Sequence, residues 1–288
     1  MQGLKKRLAD VFDAAGLSRL LLALQARALR PYVRAVNYHD VPPSLAAKFE
    51  AQLRAFREHF DPVGRDDLRA LISGSWPHQR PGILLTFDDG LRSHAEVVAP
   101  LLEKHGFPGW FMVPVDFVAT DPTEQAAFAR EHQIRADASA WTDERIAMTW
   151  QEVRNLDAHH VIACHTRSHR RLSRSLSQEE LEIEIADAKH RLEKEIGHPV
   201  DVFAWVGGEE WSYSAEAARA IRKAGFTWCF MTNSAPIRPD IDSHQLQRSN
   251  IEADFSPALV RFTLSGLYDL LYLPKRRRIN RLTAVRDG

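Results

Sequence analysis

The stretch GILLTFDDG (residues 82–90) runs from an apolar segment of strand length straight into two adjacent carboxylates, Asp88 and Asp89, and a glycine. Two like charges at the mouth of a core strand are costly to hold, so their placement needs a reason. Similar transitions recur along the chain. VRAVNY (33–38), GWFMVPV (109–115), VIACH (161–165), DVFAWV (201–206), FTWCFMT (226–232) and LQRSNI (246–251) all read as strands. Between them lie segments with helical spacing: 44–60, 66–72, 94–106, a segment starting near 151, and 177–197, with Ser177 and Glu180 as a capping-box start and Gly197 as a stop. A last helix is expected around 214–224. Residues 116–148 are polar and irregular and read as an insertion. Strands alternating with helices predict an α/β chain with a mostly parallel sheet and helices outside. Polar residues follow strand after strand: His39-Asp40, Asp88-Asp89, His165, Gly207-Gly208. In such folds sites are built at the carboxyl ends of the strands.

The whole-chain quantities set bounds. At 288 residues the chain suits one large domain or two small ones, and at 44% apolar it can bury a sizeable core. The 38 basic and 38 acidic side chains balance, which gives no global argument for nucleic acid as a partner. Charge is nevertheless uneven. Residues 1–34 hold seven Lys/Arg against Asp10 and Asp13, and residues 275–288 hold six against Asp287, so each end carries a net +5. The two cysteines, Cys164 and Cys229, cannot build a disulfide framework and read as buried free thiols, in keeping with a reducing compartment. The N-terminal apolar patch at 20–24 lacks the features of a secretory signal, and no segment is long and apolar enough to cross a membrane. A cytoplasmic chain is expected, with possible attachment to the inner face of the membrane. That attachment would use an amphipathic helix over 3–29, carrying Leu4, Leu8, Val11, Phe12, Leu17, Leu20, Leu21 and Leu24, and an apolar segment at 267–273 followed by four basic residues.

HTRSH (165–169) places two imidazoles four residues apart after a strand. Taken singly, an Asp-Asp-Gly after a strand is often a turn, and His pairs are often surface residues. Together they suit a divalent metal held by two nitrogens and a carboxylate, with open positions for water and substrate.

TFDDG followed some distance later by HTRSH resembles the polysaccharide deacetylase family, the NodB-homology or carbohydrate esterase 4 group, over about residues 33–255. The resemblance implies a distorted (β/α) barrel, here with an extra N-terminal helix (1–32) and a C-terminal helix and basic tail (256–288). It implies a divalent metal, usually zinc, and hydrolysis of N-acetyl groups from sugars. By position, Asp88 resembles the catalytic base, and Asp89, His165 and His169 resemble the metal ligands. A nearby dication would offset the charge of Asp89, and Asp88 could then take a proton from the attacking water. The third family motif departs: in FAWVGG (203–208), Ala204 stands where the family has the Arg that orients the base, Val206 stands at the Pro, and Gly207 can contribute only its backbone N–H. The stretch is closer to the branch that includes enzymes acting on β-1,6-linked poly-N-acetylglucosamine. Arg248, in Leu246-Gln247-Arg248, sits where the family has its acid His. NYHDV (37–41) resembles the opening of the same branch, which implies His39 as the acid. Trp205 and Trp211 are candidates to contact sugar. The expected substrate is an N-acetylated sugar in an intracellular or lipid-linked glycan or oligosaccharide. A non-catalytic carbohydrate-binding or scaffold protein on the same barrel, and a hydrolase of a non-sugar amide, remain as other readings.

Overall fold

The alternation read from the sequence becomes a ring of strands. The computed structural model describes residues 2–285, with side chains from residue 7. The side chains of Leu4, Lys5 and Lys6, and residues Arg286 and Asp287, lie outside the described residues. The strands are β1 (Val33–Tyr38), β2 (Asp61–Pro62), β3 (Gly82–Phe87), β4 (Gly109–Val113), β5 (Val161–Cys164), β6 (Val202–Ala204), β7 (Trp228–Met231) and β8 (Leu246–Asn250). Neighbours follow the order β1-β8-β7-β6-β5-β4-β3, and β3 pairs back onto β1, so seven parallel strands close into a barrel. The two-residue β2 pairs with the start of β3. The ring is uneven: β1 and β3 pair along their full lengths, whereas β5 and β6 meet only through Cys164 and Phe203. This is the distorted barrel that the resemblance implied.

The two faces of each strand separate two cores, because successive side chains alternate. Leu84, Trp110, Met112, Trp228, Phe230 and Leu246 belong to one buried cluster inside the ring. Trp110 packs on Trp228 and on Phe230, each at 5.8 Å between ring centroids. Further toward the carboxyl ends the inward positions turn polar, with Thr86, Asp88, His165 and Arg248 all buried. The opposite faces, with Leu85, Phe87, Phe111, Cys164 and Phe203 among them, pack under the helices. Both cysteines are buried free thiols. Gly82 opens β3 because a Cβ there would lie 2.4 Å from Val63 and 2.8 Å from Val33. A side chain would force β1, β2 and β3 apart at the point where they meet.

Two expectations are corrected. The single helix over 3–29 is two helices, Gln2–Ala14 and Leu17–Leu29, because Gly16 takes a left-handed φ of 70° between them. They pack on the helix Pro257–Leu264, tied by a bidentate ion pair from Arg261 to Asp13. The insertion at 116–148 is not irregular throughout. It contains the helices Val115–Ala119 and Pro122–Glu131 and has its own small core, with Leu91, Phe117, Ala129, Ile134 and Ile146. Val115–Ala119 is too short to show a helical period, and Pro122–Glu131 is polar and buries only Gln125 and Ala129.

Candidate active site and metal cluster

The register of β1 on β3 sets Tyr38 opposite Phe87, and the Asp88 N–H donates to the Tyr38 carbonyl at 2.9 Å. His39 directly follows β1, so His39 and the Asp88-Asp89 pair leave neighbouring strands at one level. His165 follows β5, and its N–H donates to the Val113 carbonyl of β4. The sequence motifs therefore meet on one rim.

Asp89, His165 and His169 are all buried, and one ligand atom of each lies within 4.8 Å of the others. His165 Nδ1 is 2.8 Å from the Ala204 carbonyl, and His169 Nδ1 is 2.7 Å from the His132 carbonyl. A carbonyl can only accept, so both Nδ1 atoms carry the proton and both neutral rings turn an Nε2 lone pair inward. Those Nε2 atoms lie 3.6 and 3.0 Å from Asp89 Oδ1, which is buried without a properly directed hydrogen-bond donor. Three acceptors facing one point form a site for a cation. Burial favours the neutral form of His169, but the Asp89 charge outweighs it and raises the imidazole pKa above its ordinary value. The same attraction favours a dication, which would displace the proton. Burial would raise the Asp89 carboxyl, yet its two histidines hold it well below the usual carboxylate range.

The backbone here is held in costly conformations. Of the five non-glycine residues with positive φ among the described residues, three are Asp89 (82°), Thr166 (65°) and His169 (59°). The His165–His169 loop keeps its shape on Glu184, a residue the sequence did not single out. The buried Glu184 carboxylate accepts from the Arg167 N–H (3.1 Å), the Ser168 N–H (2.9 Å) and the Ser168 hydroxyl (2.5 Å). It sits in a π-turn, Ile183–Asp187, that interrupts the helix expected to run unbroken over 177–197.

Asp88 is not among the converging ligands. Both of its oxygens are gripped by Arg248, with Oδ1 2.6 Å from Nη1 and Oδ2 2.9 Å from Nη2. Arg248 Nη1 also donates to Thr86 Oγ1 at 2.9 Å, and the Arg248 side chain is fully buried. Burial would raise the Asp88 pKa, but the guanidinium charge and its hydrogen bonds outweigh it and lower the pKa. Arg248 thus stands at Asp88, with its guanidinium closed over both carboxylate oxygens. The arginine at Asp88 comes from β8, while β6 carries Ala204. Sequence order could not reveal this, because β8 reaches β3 only across the closed barrel.

His39 is about one-third exposed, and its Nδ1 is 3.7 Å from Glu252 Oε1. Burial alone would lower its pKa. The Glu252 contact and the charges of Asp89 and Asp88 prevail and raise it to about 9. Beneath it the buried His94 Nε2 contacts the His39 carbonyl at 3.0 Å. Asp40, the next residue, accepts from Ser93 Oγ and from the Asp137 N–H, fastening the insertion to the rim.

The other expected contacts divide. Gly207 has φ 79°, which disfavours any side chain there, while the atoms nearest a Cβ are the movable ends of Glu209 (2.7 Å) and Arg171 (3.0 Å). Trp205 is only 2% exposed and packs against Phe203 and Tyr213, so the expected contact with sugar is corrected. Its outward position on the barrel points it into the helix layer. Trp211 is 59% exposed, with the Arg171 guanidinium over its ring at 5.4 Å. It borders an open groove of about 790 Å³ with Ser173, Arg174, Arg278 and Arg281.

No curated protein matches this chain. Solved structures do. A deacetylase from Streptococcus pyogenes, PplD in complex with acetate, superposes with a TM-score of 0.63 at 18% identity, covering 81% of this chain and 98% of that one. IcaB from Ammonifex degensii gives 0.64 at 18% identity over 84% of this chain and 98% of its own. A de-N-acetylase from Aggregatibacter actinomycetemcomitans gives 0.64 at 16% identity over 81% and 100%. These likenesses show the fold. The sequence model of polysaccharide deacetylases matches residues 77–229, which include Asp88, Asp89, His165 and His169. With more than half of its length matched to that model, this chain belongs to the polysaccharide deacetylase family, whose members remove N-acetyl groups from sugars.

Proposed function

We propose that this chain is a metal-dependent sugar N-deacetylase in which Asp88 is the base, His39 the acid, and Asp89, His165 and His169 hold the metal. The observation that carries the reading is the convergence of Asp89 Oδ1 with two imidazole Nε2 atoms whose Nδ1 atoms are already committed to carbonyls. The donor set of two nitrogens and one carboxylate suits a divalent ion, zinc foremost. Such an ion polarises a carbonyl and makes water more acidic. Asp88, fixed by Arg248, retains lone pairs to accept the proton of the attacking water. The Gly207 N–H, which has no acceptor among the described residues, offers a donor for developing negative charge on the acetamide oxygen. His39, protonated at neutral pH, delivers a proton to the departing amine. Acetate and a free amino sugar result. Trp211 and the arginine-lined groove beside it extend the rim toward the remainder of the glycan.

The substrate we infer is an N-acetylated sugar of an oligosaccharide or lipid-linked glycan inside the cell. The two buried thiols accord with a reducing compartment. Acetate release from a panel of N-acetylated sugars tests the reaction. Release should stop with a chelator and return when zinc is added back. Release unaffected by the chelator in demetallated protein overturns the metal assignment, and no release from any acetylated sugar by metal-loaded protein favours a binding role.

A second test addresses His39. With its pKa raised to about 9, kcat/KM should fall at alkaline pH as the imidazole loses its proton. Glu252 favours the protonated form, so Glu252→Gln should lower the His39 pKa and move the alkaline limb to lower pH. A pH profile that keeps its alkaline limb in both Glu252→Gln and His39→Ala would assign the limb to another group.

A further inference from the structure

The two N-terminal helices are docked by the wrong face for an ordinary amphipathic pair. Among their described side chains Ala9, Ser18 and Leu22 are buried, and Phe12 packs edge-on against Phe262 at 5.2 Å. The leucine-rich side faces out: Leu8, Val11, Leu17, Leu20 and Leu24 are all exposed. Leu270 and Leu271, at 69% and 74% exposure, are the most open of all. These seven are among only nine large apolar side chains exposed in the described residues. An amphipathic helix normally buries its apolar stripe, so such a concentration marks a surface awaiting a partner.

The exposed leucines belong to one region. Arg34 donates to Gln25 of the second helix and to both oxygens of Asp269 in the helix Leu267–Thr283. Phe262 touches Phe12 on one side and Tyr268 on the other. The end of the second helix thus lies beside the start of the last one. These ties dock the helices while their apolar sides stay open.

Charge identifies the partner. Arg7, Arg19, Arg27, Arg30 and Arg277 are exposed and form no ion pair among the described residues. Helical spacing puts Arg27 at the edge of the Leu17–Leu20–Leu24 stripe, and Arg277 two turns beyond Leu270 on the same face. The acids available to oppose them are few. Asp13 is taken by Arg261 and Asp269 by Arg34, which leaves Asp10 as the exposed acid of the N-terminal helices. Among the described residues, no helix is long and apolar enough to cross a membrane. We propose that this face is a peripheral docking surface for an anionic lipid bilayer, with the leucines at the acyl boundary and the arginines at the headgroups. A second copy of the chain would place the same unpaired arginines opposite one another, and the charge argues against it. The proposal is independent of the reaction assigned to the barrel and would bring the barrel to glycans held at a membrane.

Flotation of the full chain with phosphatidylcholine vesicles, with and without phosphatidylglycerol, tests it. Recovery should be about tenfold higher with the anionic vesicles and should fall as salt is raised. Arg27→Glu with Arg277→Glu should abolish that preference. Leu20→Ser with Leu24→Ser, both at exposed positions, should reduce binding to either vesicle while acetate release from a soluble sugar is unchanged. Equal recovery with both vesicles, unaffected by either pair of substitutions, overturns the proposal. So does a concentration-dependent dimer that the leucine pair dissociates, because the occupant would then be a second copy.

Discussion

Asp88→Asn lowers turnover on an N-acetylated sugar by about 10²–10⁴, the usual contribution of a general base. The substitution keeps the shape of the side chain and one acceptor for Arg248, but the amide cannot take a proton. Asp89, His165 and His169 are untouched, so the bound metal per folded chain should be that of the parent. Some stability will be lost, because Arg248 is buried and would face a neutral partner. Turnover is therefore compared at equal folded fraction and equal metal content. Near-parental turnover under those conditions would remove Asp88 from the reaction.

Removing the other half of the pair is expected to act on stability as well as rate. Arg248 is buried, and its three charge-assisted hydrogen bonds end on Thr86 and Asp88. Arg248→Met leaves the Asp88 carboxylate buried without its counter-charge, a change that costs roughly 3–5 kcal/mol in comparable buried pairs. Denaturant unfolding of the metal-free protein measures this. A structural role alone would stop there. A positioning role adds that Arg248→Lys, which restores a charge but not the two-pronged grip, recovers part of the stability while kcat stays low and KM changes little. Parental kcat in the lysine variant would confine Arg248 to structure.

Asp88 and Arg248 mark where reading a chain residue by residue stops. TFDDG and HTRSH were legible because each motif is short, lies at the end of one strand and is followed directly by its turn. The strands themselves were legible because a buried parallel strand is apolar on both faces. The partner of Asp88 was not, since Arg248 lies on a strand far along the chain and is brought to β3 only when β8 closes the ring against β1. Its position two residues after Leu246 reads as a lost acid, and its contacts make it the clamp of Asp88. Glu184 escaped notice for a similar reason. On a helix rich in glutamates nothing in the sequence separates the one that turns inward from those left in water.

The N-terminal segment shows the same limit from another side. Its leucine spacing foretold helix and an apolar stripe, and Gly16 was present as the break. Spacing alone cannot say which side of a helix meets protein. That is decided by the pairing of Asp13 with Arg261 and by the packing of Phe12 on Phe262, contacts more than 200 residues apart in the chain. The sequence by itself determined the alternation of strands and helices, the two motifs at strand ends, and the chemistry those side chains can perform, because these depend on neighbours a few residues away. Only the tertiary structure decided that Asp89, His165 and His169 converge, that Arg248 grips Asp88, that Trp205 is core, and that Leu8, Leu17, Leu20 and Leu24 face outward, because each of these depends on barrel closure and helix docking, which bring distant residues within a few ångströms of one another.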